Sequence, residues 1–343
     1  MNAALPPDIH AVLDGQSQGC DGPIKAPFPW FGGKSQVASL VWERFGDVPN
    51  YVEPFYGSGA VLLGRPADHE GHCETVNDLD GYVANFWRAV QHDPEAVADW
   101  ADNPVNENDL HARHTWLVNR RDTFVPRLEG DPDFYDAKIA GWWCWGVCCW
   151  IGTGFCSGQG PWRVVDGQLV HLGGGRGVNR KLVHLGDKGR GVNRQRAAVF
   201  QWFQALSDRL RYVRVCSGDW SRVCGPTPTV KQGLTGVFLD PPYGIEDRSD
   251  CYTEDDRDVA HEVREWAIRW GDDPQMRIAL CCYEGEYQMP DAWSCVAWKA
   301  RGGYGSQSTK HDNPNAQRER IWFSPHCLRE ANRGQLALFG GTP

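Results

Sequence analysis

The chain has 343 residues, 41% of them hydrophobic and 12% aromatic, enough for one large domain or one domain with a substantial insertion. Its formal net charge of −9 excludes a protein that coats nucleic acid by bulk electrostatics, so any DNA contact needs locally placed positive charge. No apolar run long enough to span a membrane and no charged-apolar-small leader is seen, and the 13 cysteines lack paired zinc-ribbon spacing; a cytoplasmic protein with reduced thiols and no membrane partner is expected.

Residues 1–26 read as a polar tail containing Pro and Gly. A loop, Pro27-Phe28-Pro29-Trp30-Phe31-Gly32-Gly33-Lys34, leads into a predicted helix over Ser35–Phe45 with Ser35 as its N-cap. A short strand over Asn50–Val52 precedes Glu53-Pro54-Phe55-Tyr56-Gly57-Ser58-Gly59 and a helical start at Ala60–Leu63. A second strand, Cys73–Val76, ends in Asn77-Asp78-Leu79-Asp80, and one helix is expected from there to about Ala98. Strand, glycine loop, helix, strand and acidic residue form the layout of a nucleotide-type βαβ unit.

Residues 101–196 break that pattern. They hold Cys144, Cys148, Cys149 and Cys156 among Trp142, Trp143, Trp145 and Trp150, a cluster read as packing rather than a metal site. A glycine-rich tandem repeat follows, Leu169–Arg180 and Leu182–Arg194, for which a small pair of β-hairpins, an extended DNA-contacting insert and a duplicated loop are all open. The α/β pattern returns with a helix over Ala197–Leu210, strands at Tyr212–Cys216 and Gly236–Leu239, and a helix at Asp258–Trp270. Further strands are expected at Arg277–Tyr283, Cys295–Trp298 and Arg320–Phe323. Strands on both sides of the irregular stretch imply one doubly wound Rossmann-like sheet, built from 27–100 and 197–325 and interrupted by an inserted module at 101–196.

The strand ends carry the chemistry. Asp240-Pro241-Pro242-Tyr243 follows the apolar run Gly236–Leu239. A carboxylate and a proline carbonyl can accept from both hydrogens of an amine, and an aromatic ring can stack on a base. The same tetrapeptide can be a strand followed by a plain Pro-Pro turn. Gly57 and Gly59 allow a ligand to approach the backbone, and Asp78 is placed either to bond ribose hydroxyls or to cap the next helix. Asp219, at the end of another strand, can hold an amine.

Taken together, Pro29–Lys34, Glu53–Gly59, Asn77-Asp78, Asp219 and Asp240–Tyr243 resemble, in order and spacing, the Dam-type DNA adenine N6-methyltransferases of phages and bacteria. Pro29-Trp30-Phe31 departs from the family's usual Lys-Trp-Ala, and residues 101–196 match only in position. The resemblance implies a fold of the S-adenosylmethionine-dependent methyltransferase kind and transfer of a methyl group to a flipped-out adenine. It implies cofactor contacts at Trp30, Lys34, Glu53, Phe55, Gly57, Gly59, Asp78, Asp219 and Asp240, and catalysis at Asp240, Pro241, Pro242 and Tyr243. The alternatives are another amine, such as cytosine N4 or an RNA base, and a catalytically silent DNA-binding protein of the same fold. The chemistry needs no metal, because the methyl sulfonium is already activated.

Double-stranded DNA would be reached through the repeated Gly-Arg-Gly-Val-Asn-Arg of the insert, with Arg176, Arg180, Lys188, Arg190 and Arg194 on bases or phosphates. In the tail over 326–343, Gln335-Leu336-Ala337-Leu338-Phe339 resembles the pentapeptide by which bacterial proteins dock on the replication sliding clamp. Gln335, Leu336, Leu338 and Phe339 would anchor it; packing of the tail on its own domain is the other reading.

Overall fold

In a computed structural model the described residues are 24–30, 34–66, 71–131, 133–150, 155–156, 162–165, 168–171, 196–243, 255–298 and 318–329. The first helix, α1 (Ala38–Phe45), buries Ala38, Val41, Trp42 and Phe45, an apolar stripe at helical spacing. Strand β1 (Asn50–Glu53) is buried throughout, as a parallel strand covered on both faces must be. After α2 (Ala60–Leu63) and β2 (Cys73–Asp78) come α3 (Gly81–His92) and α4 (Pro94–Ala101). Three further helices follow: α5 (Glu107–Val118), α6 (Arg121–Gly130) and α7 (Ala137–Cys149). Strands β3 (Trp162–Val165) and β4 (Gln168–His171) form an antiparallel pair of their own. Then come α8 (Arg196–Leu210), β5 (Val213–Ser217), β6 (Thr235–Leu239), α9 (Asp255–Gly271), β7 (Met276–Tyr283), β8 (Ser294–Ala297) and β9 (Glu319–Phe323).

The seven-stranded sheet has the order β5-β2-β1-β6-β7-β9-β8. Its first five strands pair in parallel, while β9 runs antiparallel to both β7 and β8. This is a doubly wound, Rossmann-like sheet, and the chain reverses its winding between β1 and β6. Ligands of open α/β sheets bind at such a switch point, outside the carboxyl ends of the strands. Alternate residues feed two layers: Tyr51 joins the core with Phe45, Phe86 and Trp87, and Val52 joins the one with Val237, Val263 and Ile278.

Two local expectations are corrected. Ser35 caps nothing: Lys34–Gln36 form a 3-10 turn, and α1 begins after Val37 without a side-chain cap. The helix expected to run to about Ala98 breaks at Asp93, which ends α3 and caps α4 through Ala96 N, with Pro94 in the first turn. Within the stretch read as an insert, Glu107–Val118, Arg121–Gly130 and Ala137–Cys149 are helical, and Leu110, Leu117, Phe124, Ile139 and Trp143 share the core layer of α3. Cys144, Cys148, Cys149 and Cys156 are all buried there. Among the described residues no helix is long and apolar enough to cross a membrane.

Candidate active site at the carboxyl ends of the strands

The loop after β1 is held by its neighbours. Tyr56 N donates to Asn77 O at 2.9 Å, and the Asn77 amide donates to Pro54 O at 3.1 Å and Gly218 O at 2.9 Å. One buried asparagine therefore ties the ends of β1, β2 and β5 together. Gly57 sits at φ +47°, and a Cβ there would run into the Trp30 indole. Trp30 itself packs edge-on to Phe28 at 5.7 Å and lies 6.1 Å from Trp143. Phe55 is half-buried and stacks on Trp220 at 6.2 Å.

Asp78 does not cap α3; Asp80 does, accepting from Tyr82 N at 2.8 Å. Asp78 is left to accept from Gly57 N at 2.8 Å and Asp80 N at 2.9 Å. Burial, with Asp80 nearby, pushes its carboxyl up to about 7 in spite of these backbone donors. Glu53 is buried, and Tyr51 donates to it at 2.8 Å. Burial holds its pKa well above the ordinary carboxylate range. Asp219 is exposed and caps a 3-10 turn over Trp220–Val223 through Ser221 N.

The second half of the site lies across the switch point. Asp240 follows β6, and its Oδ1 is 3.0 Å from Lys34 Nζ. The same ammonium donates to the Tyr243 hydroxyl at 3.0 Å and lies 3.9 Å from Glu319 Oε2. The Tyr243 hydroxyl is also 3.0 Å from both Asp240 Oδ1 and Glu319 Oε2. Its ring meets that of Tyr283 edge-on at 4.6 Å. Burial works against the charge on Lys34, but Asp240 and Glu319 outweigh it and hold the pKa above the ordinary lysine value. Burial first, and the two carboxylates next, hold Tyr243 well above the usual phenol range, so it keeps its proton.

The structure thus gathers Glu53, Phe55, Gly57, Gly59, Asp78 and Asp219 at adjoining strand ends and puts Asp240 and Tyr243 across from them. Lys34, expected on the cofactor, has its ammonium on Asp240, Tyr243 and Glu319. Pro241 is buried beside Asp240 and Pro242 is half-buried. Arg176, Arg180, Lys188, Arg190 and Arg194 lie outside the described residues, as do Gln335, Leu336, Leu338 and Phe339. Glu319 was not among the residues expected from sequence. Its signal was faint: a lone acidic residue at the head of an apolar strand, which needs a buried partner.

Residues 30–130 match the family described as D12 class N6 adenine-specific DNA methyltransferase. The matched stretch runs from Trp30 and Lys34 through the Gly57 loop to Asp78 and the helices behind it; Asp240 and Glu319 fall beyond it. The chain is also similar to the type II methyltransferase M.MjaIII of Methanocaldococcus jannaschii, at 27% identity over 82 residues. That similarity covers 22% of this chain and 28% of the relative's length.

Proposed function

We propose that the protein is a Dam-type enzyme that transfers a methyl group from S-adenosylmethionine to N6 of a flipped-out adenine in double-stranded DNA. The observation that carries this reading is Asp240. It sits at the switch point of a doubly wound sheet, 3.0 Å from Lys34 Nζ, opposite a glycine loop and an acidic strand end in a stretch that matches an adenine-methyltransferase family.

The residues present fit the cofactor. Asp78 and Glu53 offer acceptors to a ribose or an amino group, and the glycine at 57 makes room for the Trp30 indole against the loop. When bound, S-adenosylmethionine supplies a methyl group already activated on a sulfonium. The protein's own task is the amine, whose lone pair is delocalised into the purine ring. Asp240 Oδ2 and the Pro241 carbonyl would accept its two hydrogens, which favours a more pyramidal nitrogen with an available lone pair. Flipping the base out costs a few kcal/mol, and stacking on Tyr243 would return about 1–3 kcal/mol of it. The insert repeats would deliver DNA and the tail peptide would dock on a sliding clamp, in the cytoplasm or nucleoid of a bacterial host.

Expressing the chain in a host free of N6-methyladenine, followed by single-molecule sequencing, reports activity, base and site together. Asp240→Ala is expected to keep DNA binding and to lose methyl transfer by at least about 100-fold, the scale of a lost oriented acceptor. Methylated cytosine, or substantial turnover by the variant, refutes the reading. Alanine at Arg176 and Arg190 should weaken DNA binding and flatten its salt dependence, and truncation at Arg333 should abolish recovery on immobilised clamp.

A further inference from the structure

We propose that Asn77 is a positioning residue that sets the spacing between the loops after β1 and β5, so that one extended ligand can be held by both. The inference rests on the methyl-transfer reading and adds to it a residue that acts through its neighbours.

The sheet puts Asn77 where the two loops part. Pairing of β1 with β2 ends at Glu53 opposite Val76, one residue short of Asn77. On the other side β5 still pairs there, with Cys216 opposite Asn77. The Asn77 side chain is buried, and its amide nitrogen donates to Pro54 O at 3.1 Å and to Gly218 O at 2.9 Å. Both partners are carbonyl oxygens, so the nitrogen must face them, and each takes one of its two hydrogens. The backbone oxygen of Asn77 accepts from Tyr56 N at 2.9 Å.

The two carbonyls belong to residues that precede the ligand-facing ones. Pro54 leads into Phe55 and the glycine loop, and Gly218 leads into Asp219. Gly218 also donates from its N to Asp78 O at 3.0 Å. Its φ of +127° suits glycine, and a Cβ there would press on the Arg222 guanidinium. Beyond these points the segments meet again, where Phe55 stacks on Trp220 with ring centroids 6.2 Å apart. Each loop has a backbone bond of its own to β2, through Tyr56 N or Gly218 N, and the Asn77 amide is the group that bonds both loops.

On the proposed reading, S-adenosylmethionine has its methionine and sugar at the glycine loop and its adenine at Asp219. Such a ligand is gripped at both ends only when the loops stand at the right distance, because the second contact is then made within one complex. A ligand that fills one end does not sense the spacing. Loss of the amide would leave each half of the site in place and the halves out of step.

Asn77→Asp keeps the shape and, when ionised, has no N–H to donate; Asn77→Ser leaves a hydroxyl with a single proton, which cannot serve two carbonyls. Calorimetric titration with S-adenosylhomocysteine, which spans both loops, is compared with adenosine, which lacks the amino-acid half. In both variants the affinity for S-adenosylhomocysteine is expected to fall about 10-fold or more, and that for adenosine by less than about threefold. An S-adenosylhomocysteine affinity within about threefold of the parent protein's overturns the inference. So does an equal loss for the two ligands, or loss of the cooperative thermal transition in both variants, since a residue that only supports the fold behaves in that way. A parent protein that does not bind S-adenosylhomocysteine overturns the functional reading and this inference with it; a parent that binds it, with both variants unaffected, overturns the inference alone.

Discussion

Asp78 holds the fold together, and on the proposed function it would also serve the ligand. Its two oxygens accept from Gly57 N and Asp80 N, which fixes the glycine loop over the end of β2. Its folded pKa of about 7 lies above the ordinary 3.8, so the protonated form is favoured by folding. That contribution to stability is complete below about pH 3.8 and is lost as pH rises through 7. Ligand binding should run the other way, because ribose hydroxyls donate best to an ionised carboxylate. Calorimetric titration with S-adenosylmethionine is expected to show affinity rising between about pH 6 and 8, with Asp78→Asn weaker and flat over that range. A parent profile as flat as the variant's counts against Asp78 as a ligand contact.

Among the elements, the junctions carry the specificity. Asp93-Pro94 combines a capping side chain with a residue that fits only a first helical turn, and this is where the long predicted helix divides. The start of α7 is held at a distance in sequence. Buried Asn85 on α3 donates to Asp136 O at 3.0 Å and accepts from Asp136 N at 2.9 Å, while the Asp136 side chain caps α7 through Ile139 N. Asn85→Ala would leave Asp136 N unpaired, while Asp136 O keeps its bond from Ala140 N. The expected loss is about 1–3 kcal/mol in denaturant unfolding, with the midpoint moving and the slope unchanged. A loss below about 1 kcal/mol would mean that water reaches the junction. In the sequence, 101–149 differs from the α/β segments because its helices are amphipathic only weakly or are apolar all round. Of the tryptophans that gave the stretch its odd composition, Trp143 meets Phe86 of α3, Trp142 meets Trp100 of α4 and Trp116 of α5, and Trp150 stacks on His114 of α5.

At the scale of the whole molecule, order along the chain and order in the sheet diverge, and the site depends on the divergence. The strands that hold Asp78, the glycine loop, Asp219 and Asp240 were legible from apolar runs of strand length ending in glycine or acid, because in a doubly wound sheet each buried strand must end in a loop at one common edge. The sequence by itself determined that sheet, the identity of most residues at its carboxyl edge, and the resemblance of their order to an adenine methyltransferase. What only the tertiary structure decided is which of them touch. Lys34 lies 209 residues from Tyr243, and Tyr243 lies 76 residues from Glu319, yet their polar atoms meet within 3.0 Å. No local periodicity encodes such a meeting. It follows from β9 entering antiparallel beside β7, a pairing fixed by burial of the sheet's two faces and not by any motif in the strand.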